Sequence, residues 1–168
     1  MLNNFVGYGS LINHQSLKET ISDKKFIPII VKGYKRIFDL EIRKNGKTDV
    51  LNLVKDKNKF FNGVLFKVNE KELKKLKKRE SEYNIEEVNI YDFKTKKKCG
   101  KALIAIDYFI GIDYNHKKPN EHYFNLCRTG AYNLSKEFGK IWDETTYTSD
   151  NIKISDWIKY QDLNNKKD

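Results

Sequence analysis

The order of apolar and polar positions divides the chain into a strand-rich first part and a helix-rich last part. A short apolar run, roughly Asn4 to Tyr8, reads as a first strand, and His14 to Ser22 as a short helix. From Ile27 the stretch IPIIV is continuously apolar, and Arg36 to Arg43 alternates with Phe38, Leu40 and Ile42 on one face, which predicts a half-buried strand. Asn45-Gly46 follows, ahead of Val50 to Val54. Asn-Gly between two strand-like runs predicts a hairpin, because both residues tolerate positive φ. Phe60 to Val68 reads as another strand, and Asn69, with Glu72 three residues on, opens a capped helix. Glu86 to Phe93 and Ala102 to Phe109 predict two strands around the charged turn Thr95 to Lys98, the second apolar enough to be central. Pro119 suits the first turn of a helix carrying Tyr123, Leu126, Gly130, Leu134 and Phe138 at helical spacing. Ser155-Asp156-Trp157 opens a terminal helix, and the polar tail, residues 160–168, is expected to fray. Strands before about residue 110 and helices after it give an α+β pattern, and no linker or repeat interrupts it, so 1–168 reads as one domain.

One polar residue sits where the helical pattern calls for an apolar one. In KELKKLKKRESEY, Leu73 and Leu76 start a stripe that continues through Glu80 to Tyr83, while Arg79, Ser81 and Glu82 fall off it. A carboxylate turned inward beside leucines loses hydration, which disfavours its charged form and raises its pKa toward neutrality. Glu80 is therefore a candidate general base, weighed against an ordinary pairing with one of the many lysines. Tyr83 reads as a packing residue of the same stripe. The other distinctive stretch is Tyr8-Gly9-Ser10-Leu11 at the end of the first strand, where glycine lets another group approach the backbone.

Charge changes this picture little. The formal net charge is +10, which on its face suggests nucleic acid or an anionic membrane, but 29 of the basic residues are Lys and only 4 are Arg, with 17 Asn beside them. Arg is the residue suited to bidentate phosphate and base contacts, so the excess reads mainly as a solvated lysine surface. A non-catalytic nucleic-acid or anion-binding module stays open as the alternative. Cys99 and Cys127 match no metal pattern and cannot staple the chain, and His14, His116 and His122 are scattered, so no metal site is expected. Met1 is followed by polar Asn3 and Asn4, and no window approaches a membrane span, which predicts a cytoplasmic protein with no membrane partner. Ser10 lies outside a Gly-x-Ser-x-Gly elbow, and the turn lacks the features of either phosphate-binding glycine loop.

Taken together, the turn Tyr8-Gly9-Ser10-Leu11, the strand Gly63 to Phe66, the helix ending in Glu80 before Tyr83, and Pro119 to Tyr123 resemble the γ-glutamylcyclotransferase-like family in order and spacing. The resemblance runs from about residue 4 to 160 and implies a small mixed β-barrel with flanking helices. It implies a cofactor-free enzyme that acts on a small γ-glutamyl compound, releasing 5-oxoproline and a free amine or amino acid. Carried over by position, Glu80 matches the family's acid/base carboxylate, Tyr8, Gly9, Ser10 and Leu11 its substrate-binding turn, and Tyr123 a tyrosine that reaches the site. Leu11 stands where many members acting on γ-glutamyl dipeptides have Asn. Leucine there is similar to the glutathione-degrading branch, although other segments of that branch are missing, so the substrate stays open.

Overall fold

A computed structural model of the chain describes residues 1–41, 48–80, 84–106 and 118–165. Its sheet is built from β1 (Asn3–Gly7), β2 (Ile27–Glu41), β3 (Thr48–Val68), β4 (Asn84–Asp92), β5 (Lys98–Ile106) and the two-residue strands β6 (Lys118–Pro119) and β7 (Thr146–Tyr147). The hydrogen-bonded order is β6-β3-β1-β5-β4-β2-β7, and β2 also pairs with β3, so five strands return on themselves as a ring. The ring is mixed. β1 runs parallel to β5, while the β1–β3, β2–β3, β2–β4 and β4–β5 pairs are antiparallel. The seam between β2 and β4 is short, spanning the pairs Ile29↔Asp92 and Ile30↔Tyr91. Around it lie α1 (His14–Lys18), α2 (Glu70–Arg79), α3 (Glu121–Leu134), α4 (Lys136–Thr145) and α5 (Ile154–Asn165). Fully buried Phe5, Phe38, Phe61, Phe66, Phe138 and Trp142 form the centre of the core between ring and helices. The α+β class expected from the pattern is what the chain adopts.

The strands are longer than the apolar runs suggest. IPIIV and the alternating stretch from Arg36 belong to one strand, because Gly33, at φ +87°, takes up a register shift between Lys32 and Tyr34 that an L side chain would resist. Val50 to Val54 and Phe60 to Val68 likewise merge into β3, whose pairing with β2 reaches Glu41↔Asp49. The hairpin is thus present, while its Asn45-Gly46 turn, Ile42 and Arg43 lie outside the described residues. β5 sits between β1 and β4, central as expected; its continuation to Phe109 lies outside the described residues.

Two helical expectations are corrected. Pro119 pairs with Asp49 in β6 and does not enter a helix; α3 begins at Glu121, capped by the Asn120 side chain, which accepts from the Tyr123 N–H at 2.9 Å. The stripe drawn through Tyr123 to Phe138 spans two helices, since Ser135 is extended and caps α4 by accepting from the Phe138 N–H at 3.0 Å. The face of α3 that is buried carries Phe124, Cys127, Gly130 and Ala131. At the end of the chain, α5 runs on to Asn165 with no glycine or proline to stop it, so the described part of the polar tail, residues 160–165, is helical. Among the described residues, no helix is long and apolar enough to cross a membrane, and no group of three His, Cys, Asp or Glu is placed to hold a metal ion.

Candidate active site

The phase of α2 is fixed at its start. Asn69 accepts from the Glu72 N–H at 3.0 Å while the Glu72 carboxylate accepts from the Asn69 N–H at 3.0 Å, a complete capping box. Burial alone pushes the Glu72 carboxyl up, but hydrogen bonds from Lys24, Ser22 and the Asn69 N–H win and hold it down at about 2. With that start, Leu73 and Leu76 face the core, and Lys71, Lys74, Lys75, Lys77 and Lys78 are all exposed. Glu80 is the residue that ends the helix: its N–H still donates to the Leu76 carbonyl at 2.8 Å, but its own φ of −94° and ψ of 36° leave the helical region.

The Glu80 side chain, 16% exposed, borders a pocket together with Tyr8, Gly9, Ser10, Leu11 and Tyr123, all six residues singled out from the sequence. Phe5, Val6, Leu51 and Ala105 complete its walls. The pocket is small and partly open, with about 320 Å³ of space when the solvent at its mouth is included. Burial raises the Glu80 pKa, opposed by the neighbouring Arg79. Position adds to the effect, because a carboxylate at the C-terminal end of a helix meets the negative end of the dipole. Among the described residues no hydrogen bond reaches the Glu80 carboxylate; the nearest cation, Arg79 Nε, is 3.6 Å away.

The turn opposite is built for close approach. A Cβ on Gly9 would stand 2.5 Å from the Tyr123 hydroxyl, so glycine is what lets that phenol lie over the backbone. Gly130 does the same further along α3, where a Cβ would meet the Ile12 carbonyl at 2.8 Å, and the Asn13 side chain donates to the Leu126 carbonyl at 3.1 Å. The short 3₁₀ turn Ser10–Ile12 is closed by the N–H of Ile12 to the Gly9 carbonyl and of Asn13 to the Ser10 carbonyl. The N–H groups of Gly9, Ser10 and Leu11 lie outside these bonds and are the donors the turn can offer a ligand. Tyr8 points its hydroxyl at the Ala105 carbonyl, 2.7 Å away, which ties the turn to β5.

Two arginines that sequence reasoning did not assign to the site support it. Arg36 is fully buried behind the turn and donates to the Tyr8 carbonyl at 3.4 Å, the Asn62 carbonyl at 2.5 Å and the Asn62 side chain at 2.9 Å. It also reaches the Trp142 carbonyl and the hydroxyls of Thr145 and Thr146. Its alternation with Phe38 on β2 was the available signal. Arg79 reaches round from the end of α2 to Ser10, Ser16 and Thr20. Tyr83 lies outside the described residues.

The model of the ChaC-like protein family matches residues 5–126. No curated protein sequence matches the chain. Among solved structures, an uncharacterized protein from Homo sapiens superposes with a TM-score of 0.68 at 18% identity, over 84% of this chain and 86% of that one. A protein described as a γ-glutamyl cyclotransferase gives 0.67 at 14% identity, over 84% and 86%. An AIG2-like protein from Mus musculus gives 0.52 at 13% identity, over 71% and 95%. At such identities the likeness establishes a shared fold, a mixed sheet ring with flanking helices.

Proposed function

The chain belongs to the ChaC-like protein family, and from that premise we propose that it is a γ-glutamylcyclotransferase-like enzyme that needs no cofactor. Its substrate is a small γ-glutamyl compound, and its products are 5-oxoproline and a free amine or amino acid. The observation that carries the reading is the pocket in which a poorly hydrated Glu80 stands across from the bare main chain at Gly9 to Leu11.

In the reaction the substrate's α-amine attacks its own γ-carbonyl carbon and closes a five-membered ring. The amine is ordinarily protonated, and Glu80 in its ionised form removes that proton. The C–N bond forms as the carbonyl oxygen takes on negative charge, and the N–H groups of Gly9, Ser10 and Leu11, whose residues line the pocket, are donors that can receive it. Collapse of the tetrahedral intermediate breaks the bond to the departing nitrogen, to which Glu80 gives the proton it took; the regenerated carboxylate then removes the second proton from the ring nitrogen, leaving the neutral lactam, and passes it to the released amine, which departs as the ammonium. Because the attack is intramolecular, walls that keep the substrate folded supply much of the rate by orientation, and Tyr123, Leu51 and Phe5 are the residues placed to do so.

The test is a panel of γ-glutamyl peptides and amines, glutathione included, with 5-oxoproline as the readout. Release from at least one member is expected; no 5-oxoproline from any would contradict the reading.

A further inference from the structure

Arg79 makes four directed hydrogen bonds beside the pocket, to partners that run from the Tyr8–Leu11 turn through α1 to Thr20. Nη1 donates to the Ser16 carbonyl and to Thr20 Oγ1, both at 2.8 Å. Nη2 donates to Ser16 Oγ at 2.8 Å and to Ser10 Oγ at 3.1 Å. Nε faces Glu80 Oε1 at 3.6 Å, beyond hydrogen-bonding reach but within that of charge. A planar fork can meet four acceptors and a carboxylate at once; an ammonium, with three donors on one atom, cannot. On a helix whose other basic residues are exposed lysines, the single arginine stands at the position where a fork is needed.

The contact with Ser10 has a chemical consequence. Guanidinium only donates, so the Ser10 oxygen is an acceptor in this bond and its own hydrogen must point elsewhere. The Ser10 hydroxyl makes no other hydrogen bond among the described residues, and Ser10 lines the pocket. Its hydroxyl is thereby set as a donor toward whatever fills the pocket. The same guanidinium holds the end of α2, and hence Glu80, at a fixed distance from the turn.

Resting on the cyclotransferase reading above, we propose that Arg79 is a positioning residue, which orients the Ser10 hydroxyl as a donor for the anionic or carbonyl oxygen of the substrate and holds its own charge against the Glu80 carboxylate. The other titratable side chains bordering the pocket among the described residues are the phenols of Tyr8 and Tyr123, with the buried Cys127 thiol near Tyr123 and Arg36 behind Tyr8. Arg79 is the cation nearest the carboxylate, and it opposes the upward effect of burial.

The experiment compares the native protein with R79M, R79K and S10A by two readouts: the titration of the Glu80 carboxyl carbon followed by NMR, and kcat and KM across pH for 5-oxoproline release. R79M is expected to move the Glu80 midpoint upward and the acid limb of kcat/KM with it, and to lower kcat by about tenfold. R79K, which keeps the charge but not the fork, is expected to leave the midpoint near the native one while KM rises several-fold. S10A should raise KM and leave the midpoint alone. A native midpoint and native rates in R79M would overturn the proposal. If R79M fails to fold by circular dichroism, native KM values in both R79K and S10A would overturn it instead. Absence of 5-oxoproline from the native protein would fall on the cyclotransferase reading, and the titration would still decide the role of Arg79.

Discussion

Two charged side chains stand on opposite sides of the Tyr8–Leu11 turn, and the fold treats them in opposite ways. Behind the turn, Arg36 has no exposed surface, yet its guanidinium donates to six oxygen atoms. Trp142 and Thr145 belong to the last turn of α4, so the negative end of that helix stands where a carboxylate is otherwise needed. Burial pulls the guanidinium down to about 9, still well above neutrality, so it keeps its charge. In front of the turn, Glu80 meets a helix end of the same polarity, which is the wrong sign for an anion, and among the described residues no hydrogen bond satisfies it. A charge whose bonds are filled holds a structure in place. A charge left short of partners is the one that gains most from exchanging a proton.

The largest effect expected from this contrast is on turnover. E80Q keeps the shape and removes the base, and should lower 5-oxoproline release by about 10²- to 10⁴-fold with unchanged circular dichroism. R36A should do the reverse, acting on stability. It strips donors from six buried oxygens and is expected to cost roughly 4 kcal/mol in denaturant unfolding; a native midpoint would erase the contrast. G9A should push the Tyr123 hydroxyl off the turn and raise KM about tenfold. The double variant G9A/Y123F, lacking the obstructing oxygen, should recover part of the loss.

The smallest effect is a stability gain and depends on pH. The folded state raises the Glu80 pKa above its unfolded value, so the contribution of this group is fully present at low pH and is lost as pH rises through the raised folded value. E80Q should therefore melt higher than the native protein at neutral pH and above. Below the unfolded carboxyl value the two should melt together. Glu72 serves as the internal opposite. Its folded value is held at about 2, so its contribution is present above the ordinary carboxylate range and disappears as pH falls toward 2. E72Q should lose stability at neutral pH and converge with the native protein in acid.

What was legible in the sequence follows from which features carry a local phase. Asn69 and Glu72 fix the start of α2, so counting on from Leu73 and Leu76 brings Glu80 to the inner side with little room for slippage. The turn at Gly9 was legible as a close approach, though not that Tyr123 is what approaches. Arg36 shares its face of β2 with Phe38, but a period-2 pattern cannot say that a cation on the inner face will find six acceptors drawn from β3, α4, β7 and the turn. Arg79 lies off the stripe of α2 by its Cα, and only the length of its side chain brings it to Ser10. Ser135 separates α3 from α4 within a run whose apolar spacing reads straight through, because one capping hydroxyl outweighs a weak periodic signal.

The account turns on the Glu80 carboxyl being held short of water and hydrogen-bond donors, facing the main chain of the turn. The most direct measurement is its own titration, followed through the side-chain carboxyl carbon by NMR in the native protein, with E80Q identifying the resonance. A midpoint above the range of ordinary glutamates, shifting when a γ-glutamyl ligand enters the pocket, is the predicted result. A midpoint at or below that range, indifferent to ligand, would contradict it.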